Sequence, residues 1–570
     1  MGIVLFLRLS WATGEAGALV TLAILAVSGF QAILTVLSLS ALVTNGVMSS
    51  GGSYYMISRC LGPEFGGAIG VLFYSAYAMG VSFYSIGFAT AVQTTFMPDA
   101  ESPEWTIRWV GSCGLFFVLL VSLKGADFFA KFNVFFFLIQ FLAILVGLVS
   151  FWIPHTFTSQ ITNSNNGTTF EARAKFPDHL SSNLMPDYTF HTIFALLFPM
   201  VTGIMEGANL SGDLKDPAHS IPLGTLSALA TALVFYTGLI LSFAGSFTRH
   251  TLHVDQNVFQ NATMPSRYVV VVGILISAIS SALGSLFGGS RVLQAMARDD
   301  LFSIMKPFKY GTPHGDEPRV AVLFTWFVAQ CCVMIGDLDV VAPIETSFFC
   351  LSYAVVNLAC FFLSAMEAPN FRPRFKYYSW QTALLGALAN LAVMVYLQWI
   401  YALITLGVMA AIYVYLTQYG PVTEWGDISN ELIFHQVRKY LLRMEATKAA
   451  PSKFWKPNLL ILVDNCDTGL LAFCNSVKKG GLMVLAQVIV GSFDVYHRVA
   501  DTLRLYWGEF VRDAKLKAFV HTTCAEDARA AYRVLISASG LGGLSINTVV
   551  MPFYEISGLT TNRTEAELQR

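Results

Sequence analysis

Over the first 417 residues the apolar positions do not fall on narrow stripes. They fill whole runs, with polar residues gathered in the stretches between. Because about 20 helical residues cross the hydrocarbon of a bilayer, runs of this kind predict spanning helices. Twelve segments are predicted, near 2–13, 16–43, 62–96, 107–123, 131–153, 190–210, 222–247, 267–290, 319–336, 345–366, 380–397 and 400–417, the first too short to span alone. Beyond residue 417 short apolar strands such as "LLILV" and "LMVLAQVIVG" alternate with helical stretches, which predicts an open α/β fold. The chain therefore reads as a membrane domain over 1–417 followed by a water-exposed α/β domain over 418–570.

One apolar run departs from the rest. "FPMVTGIMEGAN", residues 198–209, brings a proline, two glycines, a threonine and a glutamate together at what should be membrane depth. Pro199 removes a backbone donor and disturbs the preceding turn, while Gly203 and Gly207 lower the cost of unwinding or of close backbone approach. Irregular backbone at this depth persists only where protein or a polar cavity satisfies it. Carbonyls freed here, with the Thr202 hydroxyl, suit a dehydrated cation; amides at the start of a second half-helix suit an anion such as chloride. The same residues also fit a plain kink or a helix-packing site, since Pro and Gly are frequent in membrane helices.

Composition agrees with the pattern. Of 570 residues, 55% are hydrophobic, 14% aromatic and 12% charged, too apolar for an ordinary soluble globule. Roughly one residue in five is charged beyond position 417, against about one in eleven before it, the contrast between water and lipid. A net charge of −1 leaves no basic surface for nucleic acid. With a cytoplasmic start, the inside connections carry Arg59, Lys124, Lys131, Lys215, Arg291, Arg298, Lys306, Lys309, Arg319, Arg372, Arg374 and Lys376, the positive-inside bias. The outside connections then hold the glycosylation patterns at Asn166 and Asn261, whereas a third, at Asn562, falls inside. The nine cysteines show no C-x-x-C spacing, so neither a disulfide framework nor a metal site is indicated.

Longer stretches carry a resemblance. "GIVLFLRLSW", "TNGVMSSGGSYYMISRCLGPEFGGAIG", "FPMVTGIMEGANLSGDLKDPAHSIPLGT", "LGSLFGGSRVLQAMARDD" and "APNFRPRFKYYSW" resemble signature stretches of the cation-chloride cotransporter family. "FHQVRKYLLRM", "FWKPNLLILV" and "SGLGGLSINTVVMPFYE" resemble that family's C-terminal domain, in particular its divergent branch of the cotransporter-interacting protein and the fungal vacuolar member. The resemblance implies an α-helical membrane protein with a LeuT-like inverted-repeat bundle of the amino acid-polyamine-organocation superfamily, about 12 helices, and a cytoplasmic regulatory α/β domain. It implies potassium ligands at Tyr84, Pro199 and Thr202. It implies one chloride site on the amides of Gly2, Ile3 and Val4, and a second on Gly203, Ile204 and Met205 with the Tyr353 hydroxyl. Ser280 and Ser281 match the hydroxyl pair of the sodium-coupled branches, although serine on a membrane helix is more often a packing residue.

Two departures from the family pattern stand out. Glu206 occupies a position that is usually alanine. An acidic group at this depth is costly and is a candidate for proton or cation coupling, unless it faces an aqueous vestibule. The chain also begins at Met1-Gly2, inside the family's first-helix break, so the N-terminal tail and the first half-helix are expected to be missing. The implied function is secondary active, electroneutral symport of chloride with potassium, sodium or ammonium, by a homodimeric glycoprotein in the plasma membrane or a vacuolar or endolysosomal membrane. The alternatives are an amino-acid or polyamine permease of the same fold, and a non-transporting partner that assembles with related cotransporters. Neither "KKGG" nor "GLGG" has the spacing of a phosphate loop, and no nucleophile stands beside a base. No enzyme activity, cofactor or metal beyond the transported monovalent cations is expected.

Overall fold

The computed structural model describes residues 4–45, 52–98, 102–159, 168–172, 189–209, 211–255, 257–313, 316–366, 371–420, 428–446, 456–463 and 468–551. Contacts divide the chain into two compact units, Met1–Glu431 and Leu432–Arg570. The predicted boundary at 417 falls near the end of the last spanning helix, and the division by contacts comes somewhat later.

The first unit opens with α1 (Val4–Leu7) and α2 (Leu9–Ala16), parted at Arg8, where the predicted run 2–13 is interrupted. Then follow α3 (Ala18–Val43), α4 (Gly52–Leu61), α5 (Pro63–Phe96), α6 (Pro103–Ser122) and α7 (Ala126–Phe151). A hairpin of β1 (His155–Ser159) and β2 (Thr168–Ala172) leads to α8 (Phe190–Leu197) and α9 (Glu206–Asn209). The remaining helices are α10 (Pro217–Ser246), α11 (Arg249–Val254), α12 (Val258–Asn261), α13 (Arg267–Arg298), α14 (Arg319–Val333), α15 (Leu338–Ala365), α16 (Trp380–Leu397) and α17 (Trp399–Tyr419). Among the described residues, ten helical stretches are long and apolar enough to cross a membrane, counting 190–209 as one; α14 is apolar but shorter, at 15 residues. This is an integral multi-pass membrane protein. The outward faces of α7, α16 and α17 expose Val134, Leu138, Leu142, Leu388, Leu403 and Ile404, which a soluble protein would bury and lipid accepts.

Helix α5 runs through the middle and packs on α13, α15, α6, α17, α4 and α14. Its small residues make the approach close: a Cβ on Gly70 would lie 2.6 Å from Met296 Sδ and from the Tyr54 ring. Hydrogen bonds fasten α3 to α15 and α16. Asn357 Nδ2 donates to Thr35 Oγ1 at 2.9 Å and its Oδ1 accepts from Ser38 at 2.7 Å, while Gln31 Nε2 donates to Asn390 Oδ1 at 2.6 Å. Bonds of this kind contribute about 0.6 kcal/mol each on average, so Asn357→Leu is expected to cost roughly 1–2 kcal/mol. Unfolding of the detergent-solubilised protein measures it, and an unchanged midpoint would mean the clamp is decorative.

Asp299 joins the end of α13 to α4. Tyr54 Oη donates to its Oδ2 and Arg59 Nη2 to its Oδ1, each at 2.8 Å. Burial holds the Asp299 carboxyl above the usual carboxylate range, against the lowering pull of these two donors. A raised acid contributes stability that is complete below the unfolded value, about pH 4, and is lost as pH rises through the folded value. The melting temperature of the wild type relative to Asp299→Asn should therefore fall as pH rises above about 4; a constant difference contradicts this account.

The second unit contains most of α18 (Ile428–Ala446), then β3 (Leu459–Leu462), α19 (Thr468–Lys478), β4 (Met483–Val490), α20 (Phe493–Asp513), β5 (Phe519–Ala525), α21 (Ala528–Ala538) and β6 (Thr548–Val550). Its four strands pair in the order β5-β4-β3-β6, all parallel. Leu459, Ile461 and Leu485 pack with Leu471, Cys474 and Trp507 on one face, and Leu460, Leu462 and Val484 with Leu535 on the other. Burial on both faces explains why "LLILV" reads as an unbroken apolar run rather than an alternation.

Candidate ion site at the broken helix

Helix α8 stops at Leu197, and Phe198–Val201 forms a single tighter turn. Thr202 is extended (φ −71°, ψ 160°), Gly203 turns left-handed at φ 86°, and helix resumes at Glu206. The residues account for the break. Pro199 has no amide to continue the ladder, and Gly203 adopts a conformation that L side chains resist. Across the gap, the Thr202 hydroxyl donates to the Pro199 carbonyl at 2.8 Å and the Glu206 amide to the Gly203 carbonyl at 3.1 Å.

Three tyrosines surround this segment. The Gly203 amide donates to the Tyr353 hydroxyl of α15 at 3.0 Å, and the Ile204 amide lies beside the same oxygen. The Tyr84 hydroxyl of α5 lies beside Thr202, with Glu206, Glu345 and Tyr353 also near it. Tyr77, one face-repeat earlier on α5, is fully buried and points toward Glu206 and Asn209. Glu206 Oε1 accepts from Ser285 of α13 at 3.1 Å, and a Cβ on Gly284 would lie 2.7 Å from Glu206 Oε2. A cleft of about 400 Å³ opens beside the break, lined by Thr202, Gly203, Ile204 and Glu206 and by Ser220 and Thr225 of α10.

The structure thus gathers Tyr84, Thr202, Gly203, Ile204, Glu206 and Tyr353 at one place, with Pro199 and Met205 buried beside them. Gly2 and Ile3 lie outside the described residues. Val4 begins α1, which packs on the Phe198–Val201 turn. Ser280 turns elsewhere and donates to Asn133 of α7 at 2.7 Å, while Ser281 sits one helical turn before Ser285. Asn166 lies outside the described residues. Asn261 is half-buried with its Nδ2 donating to Asp255 at 2.9 Å, and Thr263 of the same pattern is buried with its hydroxyl on the Phe259 carbonyl.

Sequence reasoning missed Glu345, Ser285, Tyr77 and the glycine notches at Gly80 and Gly284. The signal for Glu345 was present. The apolar run reads from 345, which makes this glutamate an end charge, but α15 begins at Leu338 and carries Glu345 two turns inward to full burial. Elsewhere, a surface groove of about 730 Å³ in the second unit runs along α20 and β5, with Asp501, Arg504 and Arg512 among its lining; it pairs no nucleophile with a base.

The family model described as amino acid permease matches residues 1–461, and the one described as solute carrier family 12 matches residues 468–557. The chain is 37% identical to solute carrier family 12 member 9 of Danio rerio, covering 97% of the chain and 65% of that protein. It is 38% identical to the Homo sapiens protein of the same name, covering 97% and 64%. Vacuolar cation-chloride cotransporter 1 of Saccharomyces cerevisiae is 31% identical over 100% of the chain and 52% of its own length. The chain therefore spans 64–65% of the length of these two animal relatives and about half that of the yeast one. Members of the family are transporters and not enzymes. The chain belongs to the amino acid permease family and, within it, to solute carrier family 12, the cation-chloride cotransporter family.

Proposed function

We propose that the chain carries chloride with a monovalent cation across a membrane by secondary active, electroneutral symport. Potassium is the first cation, with sodium and ammonium as the others. The observation that carries this reading is the interruption at 198–205, where backbone amides and oxygens face two tyrosine hydroxyls at membrane depth. Potassium is held by Tyr84, Thr202 and the Pro199 carbonyl, neutral oxygens that replace its water. One chloride takes the amides of Gly203, Ile204 and Met205 with the Tyr353 hydroxyl, and a second takes those of Gly2, Ile3 and Val4. Ser280 would have to leave Asn133 before serving sodium with Ser281, which favours potassium.

One anion per cation removes any zFΔψ contribution, so flux follows the ion gradients alone. Purified protein in liposomes tests the reading: radioactive rubidium uptake should need chloride and ignore a potential imposed by an ionophore. Uptake of an amino acid or polyamine in its place supports the second reading, a permease of the same fold, for which Glu206 on the wall of the cleft offers a partner to an amine. Homodimerisation, assembly with related cotransporters, glycosylation at Asn166 or Asn261 and residence in a vacuolar, endolysosomal or plasma membrane belong to the same proposal. So does a regulatory role for the second unit on the cytoplasmic side.

A further inference from the structure

Glu345 presents an unusual situation. It is 0% exposed, seated within a membrane helix, and neither carboxyl oxygen has a hydrogen-bond partner among the described residues. Its neighbour in charge is a second carboxyl, Glu206. Ser285 stands between them. Its hydroxyl donates to Glu206 Oε1 at 3.1 Å, and a Cβ on Gly80 would lie 3.4 Å from that hydroxyl and 3.3 Å from Glu345 Oε1.

The titratable side chains facing the pair are Tyr77 and Tyr84 from α5 and Tyr353 from α15, all neutral phenols at physiological pH, and the amino terminus of the chain also acts electrostatically on Glu206. From α13 the pair meets Ser285 and Gly284. Among the described residues no Lys, Arg or His forms an ion pair with either carboxyl. The Tyr77 hydroxyl, fully buried, is directed at Glu206 and Asn209.

Two carboxylates this close, at this depth, do not both carry charge without a positive partner. The packing restricts what that partner is. The carboxyl groups occupy the notches left by Gly80 and Gly284, so tightly that a methyl group at Gly284 would stand 2.7 Å from Glu206 Oε2. Around Glu345, which is fully buried, such a space suits a proton better than an ion that must bring or find several oxygen ligands, while Glu206 also borders the cleft beside the break.

We propose that Glu206 and Glu345 form a proton-binding carboxyl pair adjoining the ion site. The proton adds to one carboxylate oxygen and is bonded toward the other group directly or through Ser285. It leaves to water when a monovalent cation binds at Thr202 and Tyr84, so that protons and the transported cation compete. The inference deepens the transporter reading and rests on it for the role of the pair, but not for the existence of the proton.

Infrared difference spectroscopy of the full chain in lipid, titrated with pH and with rubidium, reads the proton directly. A protonated-carboxyl carbonyl band is expected in the wild type. It should disappear as pH rises or as rubidium is added at fixed pH, and Glu345→Gln and Glu206→Gln should each remove it. Glu345→Asp should keep a shifted band, which separates loss of the proton from loss of the fold. A wild-type spectrum with no band that either glutamine variant removes overturns the proposal, and so does a band indifferent to rubidium. The band without chloride-dependent flux upholds the proton site and defeats the symport reading; flux without the band does the reverse.

Discussion

Thr202→Ala is expected to abolish chloride-dependent rubidium uptake, and Tyr84→Phe to reduce it nearly as far. At the proposed site each variant removes one neutral oxygen from a cation that has given up its water. A hydrogen-bond-scale interaction with a charged group contributes about 1.5–3 kcal/mol, which corresponds to roughly a 10- to 150-fold loss of affinity. Thr202 has a special position, because its hydroxyl donates to the Pro199 carbonyl at 2.8 Å and so keeps its oxygen lone pairs for an ion. Thr202→Ser retains that oxygen and should retain most of the uptake. Alanine variants that transport normally would place the cation elsewhere.

The second large effect concerns the anion. Tyr353→Phe removes the hydroxyl that the Gly203 amide now meets at 3.0 Å and that a bound chloride would share. The chloride concentration for half-maximal uptake should rise roughly tenfold or more, while the rubidium dependence changes less. Gly203→Ala should act on the same step for a different reason. A Cβ there would stand 3.4 Å from Glu206 Oε1, an ordinary contact, so the cost is conformational: a left-handed residue at φ 86° resists any side chain by about 1–2 kcal/mol. Equal shifts in both ion dependences would instead mean that the two substitutions merely loosen the fold.

Much of this architecture was legible because a membrane makes sequence patterns strict. Unsatisfied backbone has no water to turn to, so apolar length alone marks the helices, and Pro199 with Gly203 marks the place where one of them fails. The second unit was readable for a related reason, since strands covered on both faces must be apolar throughout, as in Leu459–Leu462. What pattern could not supply was direction. Ser280 and Ser281 stand out as adjacent hydroxyls, but one faces Asn133, and it is Ser285 that reaches Glu206. Glu345 was hidden by a helix end placed too late, because Leu338–Ile344 includes Asp339 and Pro343 and so resembles a connection. The notches at Gly80 and Gly284 are defined by side chains from other helices and have no local signature at all.

On the proposed reading the break at 198–205 binds a cation and chloride together. The most direct test is radioactive rubidium uptake into proteoliposomes, measured with chloride and with an impermeant anion in its place, for the wild type and Thr202→Ala side by side. Uptake should require chloride in the wild type and be absent from the variant. Rubidium uptake equal with and without chloride, or uptake that survives loss of the Thr202 hydroxyl, would contradict that reading.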